Sequence, residues 1–419
     1  MEKRTSKYNL WAYTVSELVS GLGNGIYTFG ISLYILAATG SAISFALNLM
    51  LSALPRAILA PLAGYLVDRY SRKAIVLVSR ISAAAIMTSL LLFSTIYEFS
   101  LPALYTATIL LSITSLFTGV ALSSSISSLV QQEHIQKAVT MNQAASSFSM
   151  VLGPIIAGSL FGFVSIHLFL LIQLIGLLIT ILVVSTMNFK LFHHADPAAH
   201  HEKFVESLKT GFQYVKNDQL LSILVIISLV INFFAVCVVV GMPFIVLEES
   251  NIRPAHFGVI EGMFALGMLI ASVILSVKQE FRFPLLNAKK GILAISLLML
   301  CMPIPLIFSF DYFFKVGYFL IIALSYGMII IYINTPVGVM LQKSIDDGLK
   351  GRVFSFLEVT GQILSPLSMM LYGVLFDFIS GTWTLLATGS VLFLVTLYLI
   401  GRPLLRKFYP ELENSKSLF

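Results

Sequence analysis

Apolar residues run along this chain in long unbroken stretches, and polar residues gather between them. A strand of a membrane barrel alternates apolar and polar positions over about 10 residues. Here the apolar runs are continuous and last twenty residues or more. A helix of about 20 apolar residues covers the roughly 30 Å hydrocarbon core of a bilayer. The pattern predicts an all-α membrane protein with spans near 8–38, 43–67, 74–95, 102–130, 138–162, 166–188, 220–246, 255–277, 289–309, 314–340, 353–378 and 382–401. One stretch departs from it. From Glu202 to Asp218 the apolar residues Phe204, Leu208, Phe212 and Val215 recur every three or four positions, as in an amphipathic helix lying on a membrane surface. The expected organisation is a six-helix bundle over 1–188, a linker over 189–219, a second six-helix bundle over 220–402 and a tail over 403–419.

Composition sharpens the picture. Of 419 residues, 58% are hydrophobic and 11% charged, where a soluble domain carries about 25% charged residues. The net charge of +6 invites a nucleic-acid reading, but the distribution of the basic residues argues against it. With the N-terminus placed in the cytoplasm, 22 of the 26 Lys and Arg residues fall in cytoplasmic segments. Arg253 and Lys315 fall in outer loops, and Arg56 and Arg80 lie within or at the edge of spans. This asymmetry is the positive-inside signature. It predicts a multi-pass protein of the cell membrane with both termini and the central loop in the cytoplasm. The N-terminal run to Thr39 is too long for the apolar region of a signal peptide and is read as the first span.

Several chemistries find little support. Cys237 and Cys301 both sit in apolar segments and read as buried small side chains. His193, His194, His200 and His201 surround Asp196-Pro197 in the central loop and read as loop rather than metal ligands, so no metal or cofactor is expected. The chain has no phosphate-binding loop, which disfavours ATP-driven work by the chain itself. Paired acidic clusters of the kind a membrane prenyl transferase needs are also missing, so an integral-membrane enzyme acting on a lipid is a rival reading with little behind it.

The two halves carry a faint repeat. Gly153-Pro154 in the fifth span is echoed by Ser365-Pro366 in the eleventh, 212 residues further on. The same offset carries Asp68, after span two, to Glu280, after span eight. Duplicated six-helix halves are an arrangement found in secondary transporters.

Three motifs give the chain a family resemblance. Between spans two and three stands Gly64-Tyr65-Leu66-Val67-Asp68-Arg69-Tyr70-Ser71-Arg72-Lys73. It resembles the loop signature of the major facilitator superfamily. In span five, Gly153-Pro154-Ile155-Ile156-Ala157-Gly158 resembles the glycine-proline motif of that superfamily's exporters, with Ala157 where a glycine is usual. Lys350-Gly351-Arg352-Val353-Phe354-Ser355 opens span eleven and, with the stretch from Leu54-Pro55 to Arg69, is similar to the macrolide-efflux-like branch. Gly64 is expected to permit close helix contact. By resemblance, Asp68 with Arg69, Arg72 and Lys73 forms a conformational switch whose counterpart is the start of span eleven, around Gly351 and Arg352. Many proton-coupled exporters carry an arginine inside span four; here no Lys or Arg occurs between Arg80 and Lys137.

Charged groups inside the bilayer are the remaining signal, because an acid at a helix centre costs about 3 kcal/mol on insertion scales. Glu17, Glu261 and Glu358 fall within spans one, eight and eleven and are candidates for proton or cation binding. Arg56 is read as the only basic side chain well inside a span, either pairing with Glu17 or facing an anionic substrate group. The superfamily lines its cavity with spans one, four, seven and ten, which by resemblance nominates Asn24, Asn232 and Asn334. Tyr27, Tyr34 and Phe233 would supply apolar walls or core packing. The resemblance implies a monomeric secondary transporter that exports a small amphipathic or lipophilic compound, a drug or a metabolite, by alternating access coupled to protons. A lysophospholipid carrier of the same superfamily is the alternative.

Overall fold

The computed structural model describes residues 2–96, 100–161, 164–189, 191, 204–277, 281–308, 310–345 and 350–409. The histidines of the central loop and Glu280 lie outside them, as do the side chains of Asp68, Arg352 and Glu358. The described residues are helical almost throughout. The helices are α1 (Glu2–Thr39), α2 (Ala42–Arg69), α3 (Arg72–Ile96), α4 (Leu101–Ser124), α5 (Gln132–Phe161), α6 (Ile166–Thr186), α7 (Phe204–Asn217), α8 (Gln219–Pro243), α9 (Pro254–Val277), α10 (Pro284–Cys301), α11 (Tyr312–Ser344), α12 (Lys350–Phe378), α13 (Gly381–Leu399) and α14 (Arg402–Phe408). Among the described residues ten helices are long and apolar enough to cross a membrane. The sequence pattern predicts twelve spans. The other two long helices, α5 and α12, hold the fifth and eleventh places in the predicted order. Both are long, and the side chains of several residues along each lie outside the described ones. α5 spans 30 residues and α12 spans 29, each long enough to cross a bilayer.

The chain divides into two compact units, Met1–Thr39 with Ser44–Glu202, and Gly40–Ile43 with Lys203–Phe419. In the first, α1 packs against α5 and α6, and α3 against α4 and α6. Small residues one turn apart make the α1–α5 contact possible. Gly21 and Gly25 on α1 face Ser149 and Gly153 on α5, and a Cβ added to Gly153 would lie 2.9 Å from the Gly25 Cα. Towards one end of the bundle Tyr27, Ile31, Met87, Leu111 and Leu170 form an apolar cluster. Towards the other, Tyr13, Val76, Leu122, Val130 and Val184 form a second. There Asn9 donates to the carbonyls of Leu129 and Asn188 at 3.0 Å each and accepts from the Asn188 N–H at 3.2 Å. Buried backbone groups that no helix satisfies are thereby paired.

In the second unit α9 and α11 cross at a pair of glycines. A Cβ on Gly267 would collide with the Leu324 carbonyl, and one on Gly327 with the Phe264 carbonyl. α8 continues past Pro243 as a π-helical turn, Phe244–Glu249. The Glu249 carboxylate accepts the Gly381 N–H at 2.8 Å, satisfying a free donor at the start of α13. The turn Gly40–Ile43 also belongs to this unit. Gly40 adopts φ +62° there, and Asp377 accepts from Ser41 Oγ and the Ala42 N–H at 2.5 Å each. The amphipathic segment forms α7 as expected, and it packs on α8 and α12, with the Phe212 and Phe356 rings 5.7 Å apart.

Candidate functional site

The interior of the first unit holds charge. Glu17 stands midway along α1, and Arg80 stands eight residues into α3. Arg80 is only 5% exposed. Its Nη1 donates to Ser20 Oγ at 2.5 Å, one turn from Glu17 on α1. The Glu17 carboxyl and the Arg80 guanidinium act on each other electrostatically. This corrects two expectations. Arg56 is not the only basic group well inside a span, and it is not the partner of Glu17. Arg80 lies in a helix whose start carries Arg72 and Lys73, so by sequence it reads as one more residue of a basic helix end. Its 1.5 Å rise per residue nevertheless takes it about 12 Å from that end.

Arg56 ends a polar ladder between α2 and α4. Asn48 donates to Ser32 Oγ at 2.9 Å and accepts from Thr108 Oγ1 at 2.9 Å. One turn on, Ser112 Oγ donates to the Ser52 carbonyl at 2.7 Å. One turn further, Arg56 Nη2 donates to Ser115 Oγ at 2.9 Å. Each α2 member follows the last by four positions, which keeps them on one helix face. The Nε atoms of Arg56 and Arg80 are both sealed from solvent with no hydrogen-bond partner among the described residues.

Beside Arg80 lies a small cavity lined by Ser20, Asn24, Thr114, Ser115, Thr118 and Gln173, with Ala83, Leu111 and Leu177 as its apolar wall. Its innermost space is about 20 Å3, and the whole recess, counting space open to the outside, is about 290 Å3. A polar space of that inner size accommodates one water-sized group. Of the nominated residues, Asn24 lies at this cavity. Gln173, Ser20, Ser115, Thr114 and Thr118 were not nominated. Thr114 and Thr118 bond back to their own turn, donating to the Leu111 and Thr114 carbonyls at 2.9 Å each, as a Ser or Thr in an apolar helix ordinarily does, so nothing in the sequence marks them.

The other candidates stand apart from this cluster. Glu261 is in α9, with no side-chain hydrogen bond among the described residues. Asn232 is exposed on α8, and its Nδ2 donates to the Ser228 carbonyl one turn back at 2.8 Å. Asn334 is exposed on α11. Tyr27 belongs to the core, 1% exposed. Cys237 and Cys301 are both free thiols.

The loop motif divides in two. Arg72 Nη1 donates to the Ser124 carbonyl at 2.5 Å. Lys73 Nζ donates to the carbonyls of Ser185 and Met187 at 2.7 and 2.8 Å. Both therefore satisfy carbonyls at the ends of α4 and α6, where the helix dipole favours a cation. Arg69 lies over the Tyr65 ring, 5.1 Å from its centroid. At Gly64 a Cβ would meet nothing within 4 Å among the described residues. Gly153 is the glycine that does wedge, with Gly158 buried beside Ala157 on the same helix. Pro154 sits inside α5.

Similar proteins agree with this architecture. Macrolide efflux protein A of Streptococcus pyogenes is 25% identical over 405 residues, covering 93% of this chain and 96% of that protein. The uncharacterised transporter YfiS of Bacillus subtilis is 25% identical over 407 residues, covering 94% and 93%. Among solved structures, a bacterial homologue of the iron transporter ferroportin in an inward-facing state superposes with a TM-score of 0.68 at 16% identity, over 94% of this chain and 99% of that one. The D-xylose–proton symporter does so at 0.67 and 14% identity, over 94% and 97%. The sequence model of the Major Facilitator Superfamily matches residues 14–369. With most of its length matched and an all-helical membrane fold shared with solved members, the chain belongs to the Major Facilitator Superfamily of transporters.

Proposed function

We propose that the protein exports a small amphipathic or lipophilic compound from the cytoplasm by alternating access, driven by protons. The observation that carries this reading is the Glu17–Arg80 pair inside the first unit. A carboxyl beside a guanidinium can hold a proton in one state and a charge in the other, and an intramembrane acid that costs insertion energy is by default a functional group. Arg80, from α3, supplies the cation that span four lacks. The relatives named as macrolide efflux proteins support export. We place the protein in the cell membrane as a monomer with both termini in the cytoplasm. The loop carrying Asp68 acts as its conformational switch.

Purified protein in vesicles with an imposed pH gradient tests the reading, with a labelled macrolide as probe. Wild type is expected to accumulate the macrolide only with the gradient. Glu17→Gln is expected to lose gradient-driven accumulation and some thermal stability, because Arg80 is left without its counter-charge. Asp68→Asn is expected to slow turnover several-fold and leave the pH dependence in place. Gradient-driven accumulation by Glu17→Gln at the wild-type rate would remove Glu17 as the coupling group, and macrolide movement indifferent to the gradient would leave a facilitator.

A further inference from the structure

The charge in the first unit does not balance. In residues 1–188 the acids are Glu2, Glu17, Asp68, Glu98 and Glu133, and only Glu17 lies inside a span. Two arginines, Arg56 and Arg80, lie inside spans. Glu17 answers Arg80. Asp68 is twelve residues along α2 from Arg56, about 18 Å at the helical rise. What Arg56 has instead, among the described residues, is the neutral hydroxyl of Ser115, with its Nε sealed and without a hydrogen-bond partner. A guanidinium out of water without a counter-charge is costly, and its fork geometry suits a planar oxyanion.

The polar cavity supplies the place for such a counter-charge. Ser115, which holds Arg56, lines it, and so does Arg80. Polar side chains of Ser20, Asn24 and Gln173 line the same space, with the hydroxyl oxygens of Thr114 and Thr118, whose protons are given to the Leu111 and Thr114 carbonyls. Arg80 and Gln173 are 5% and 6% exposed, so the donors are held by packing. The inner space takes a single small group, and the cavity is open on one side rather than enclosed.

The geometry points to an anion site in the first unit, where Arg56 and Arg80, through the Ser115 and Ser20 shell, receive one monovalent anionic group: the carboxylate of a transported compound, or a free inorganic anion. This deepens the transport reading by assigning an anionic head to the cargo, or a bound anion to the carrier, and it rests on that reading only for the word cargo.

The experiment is calorimetric titration of the purified full-length protein in detergent at neutral pH and fixed ionic strength. The probes are benzoate, its uncharged isostere benzamide, and bromide. Benzoate is expected to bind at least tenfold more tightly than benzamide. Arg56→Gln is expected to weaken benzoate at least tenfold, and Arg56→Lys, which keeps the charge, to retain most of the affinity. Benzoate bound with no competition from bromide assigns the site to a substrate carboxylate; bromide bound alone and displacing benzoate assigns it to an inorganic anion. Equal affinity for benzoate and benzamide overturns the proposal, and that comparison needs no variant to fold. So does an Arg56→Gln protein that binds benzoate as wild type does. No gradient or transport enters this measurement, so a failed Glu17 test leaves the anion site standing, and a failed titration leaves proton coupling standing.

Discussion

Arg80 is the side chain whose surroundings differ most from what its position in the sequence suggests. Removing one member of a buried charge pair leaves the other uncompensated, which costs about 3–5 kcal/mol. Arg80→Gln is therefore expected to lower the thermal stability of the purified protein severely. Adding Glu17→Gln in the same chain is expected to restore much of it. A double-mutant cycle read by thermal unfolding checks this. Purely additive losses would show that the two groups do not act on each other. The sequence makes Glu17 visible, because an acid in the middle of an apolar run is conspicuous. Arg80 is less visible, because a long cation near a helix end ordinarily extends to the interface. What turns it inward is Ser20 on α1, sixty residues away in the chain.

At the scale of helices, close packing rests on particular glycines. Gly153→Ala would press a methyl group into the backbone of Gly25, with 2.9 Å to its Cα. Overpacking of this kind costs about 1–3 kcal/mol. Gly64→Ala would meet open space within 4 Å and is expected to leave stability unchanged or slightly raised, since alanine is the better helix former. Parallel melting curves of the two variants decide it; equal losses would mean that neither contact is set as described. Both glycines look alike in sequence, each a small residue within a helical run. The difference is a partner 128 positions away for one and, among the described residues, none within reach for the other. Local pattern records small size but not what stands opposite, and the same limit hid the α2–α4 ladder. Helix existence, by contrast, was legible almost everywhere, because a run of apolar residues is a local property.

For the molecule as a whole, hydropathy and charge carry the prediction. Loop Lys and Arg place residues near Asn251 outside and those near Pro197 in the cytoplasm. A cysteine introduced beside Asn251, in a background lacking Cys237 and Cys301, is expected to react with an impermeant maleimide on sealed cells. One beside Pro197 is expected to react only after the membrane is opened. Labelling of the Pro197 site in sealed cells would invert the topology. The family was legible from the loop after span two and the glycine-proline stretch of span five. The site was legible in Glu17 and Asn24, but not in the serines, threonines and glutamine that α1, α4 and α6 add to its walls.

The ladder between α2 and α4 also bears on how the protein is made. Ribosomes deliver α2 before α4, so for a time Asn48 and Arg56 have no Thr108 or Ser115 to meet. An arginine at the middle of a lone helix resists partition into lipid by about 2.5–3.5 kcal/mol. Nascent α2 is thus expected to linger at the translocon until α4 emerges, and the two to leave sideways into the bilayer together. Chains stalled after α3 should keep α2 crosslinked to the insertion machinery, and chains stalled beyond α4 should release it. Replacing Arg56 with leucine should let α2 depart early.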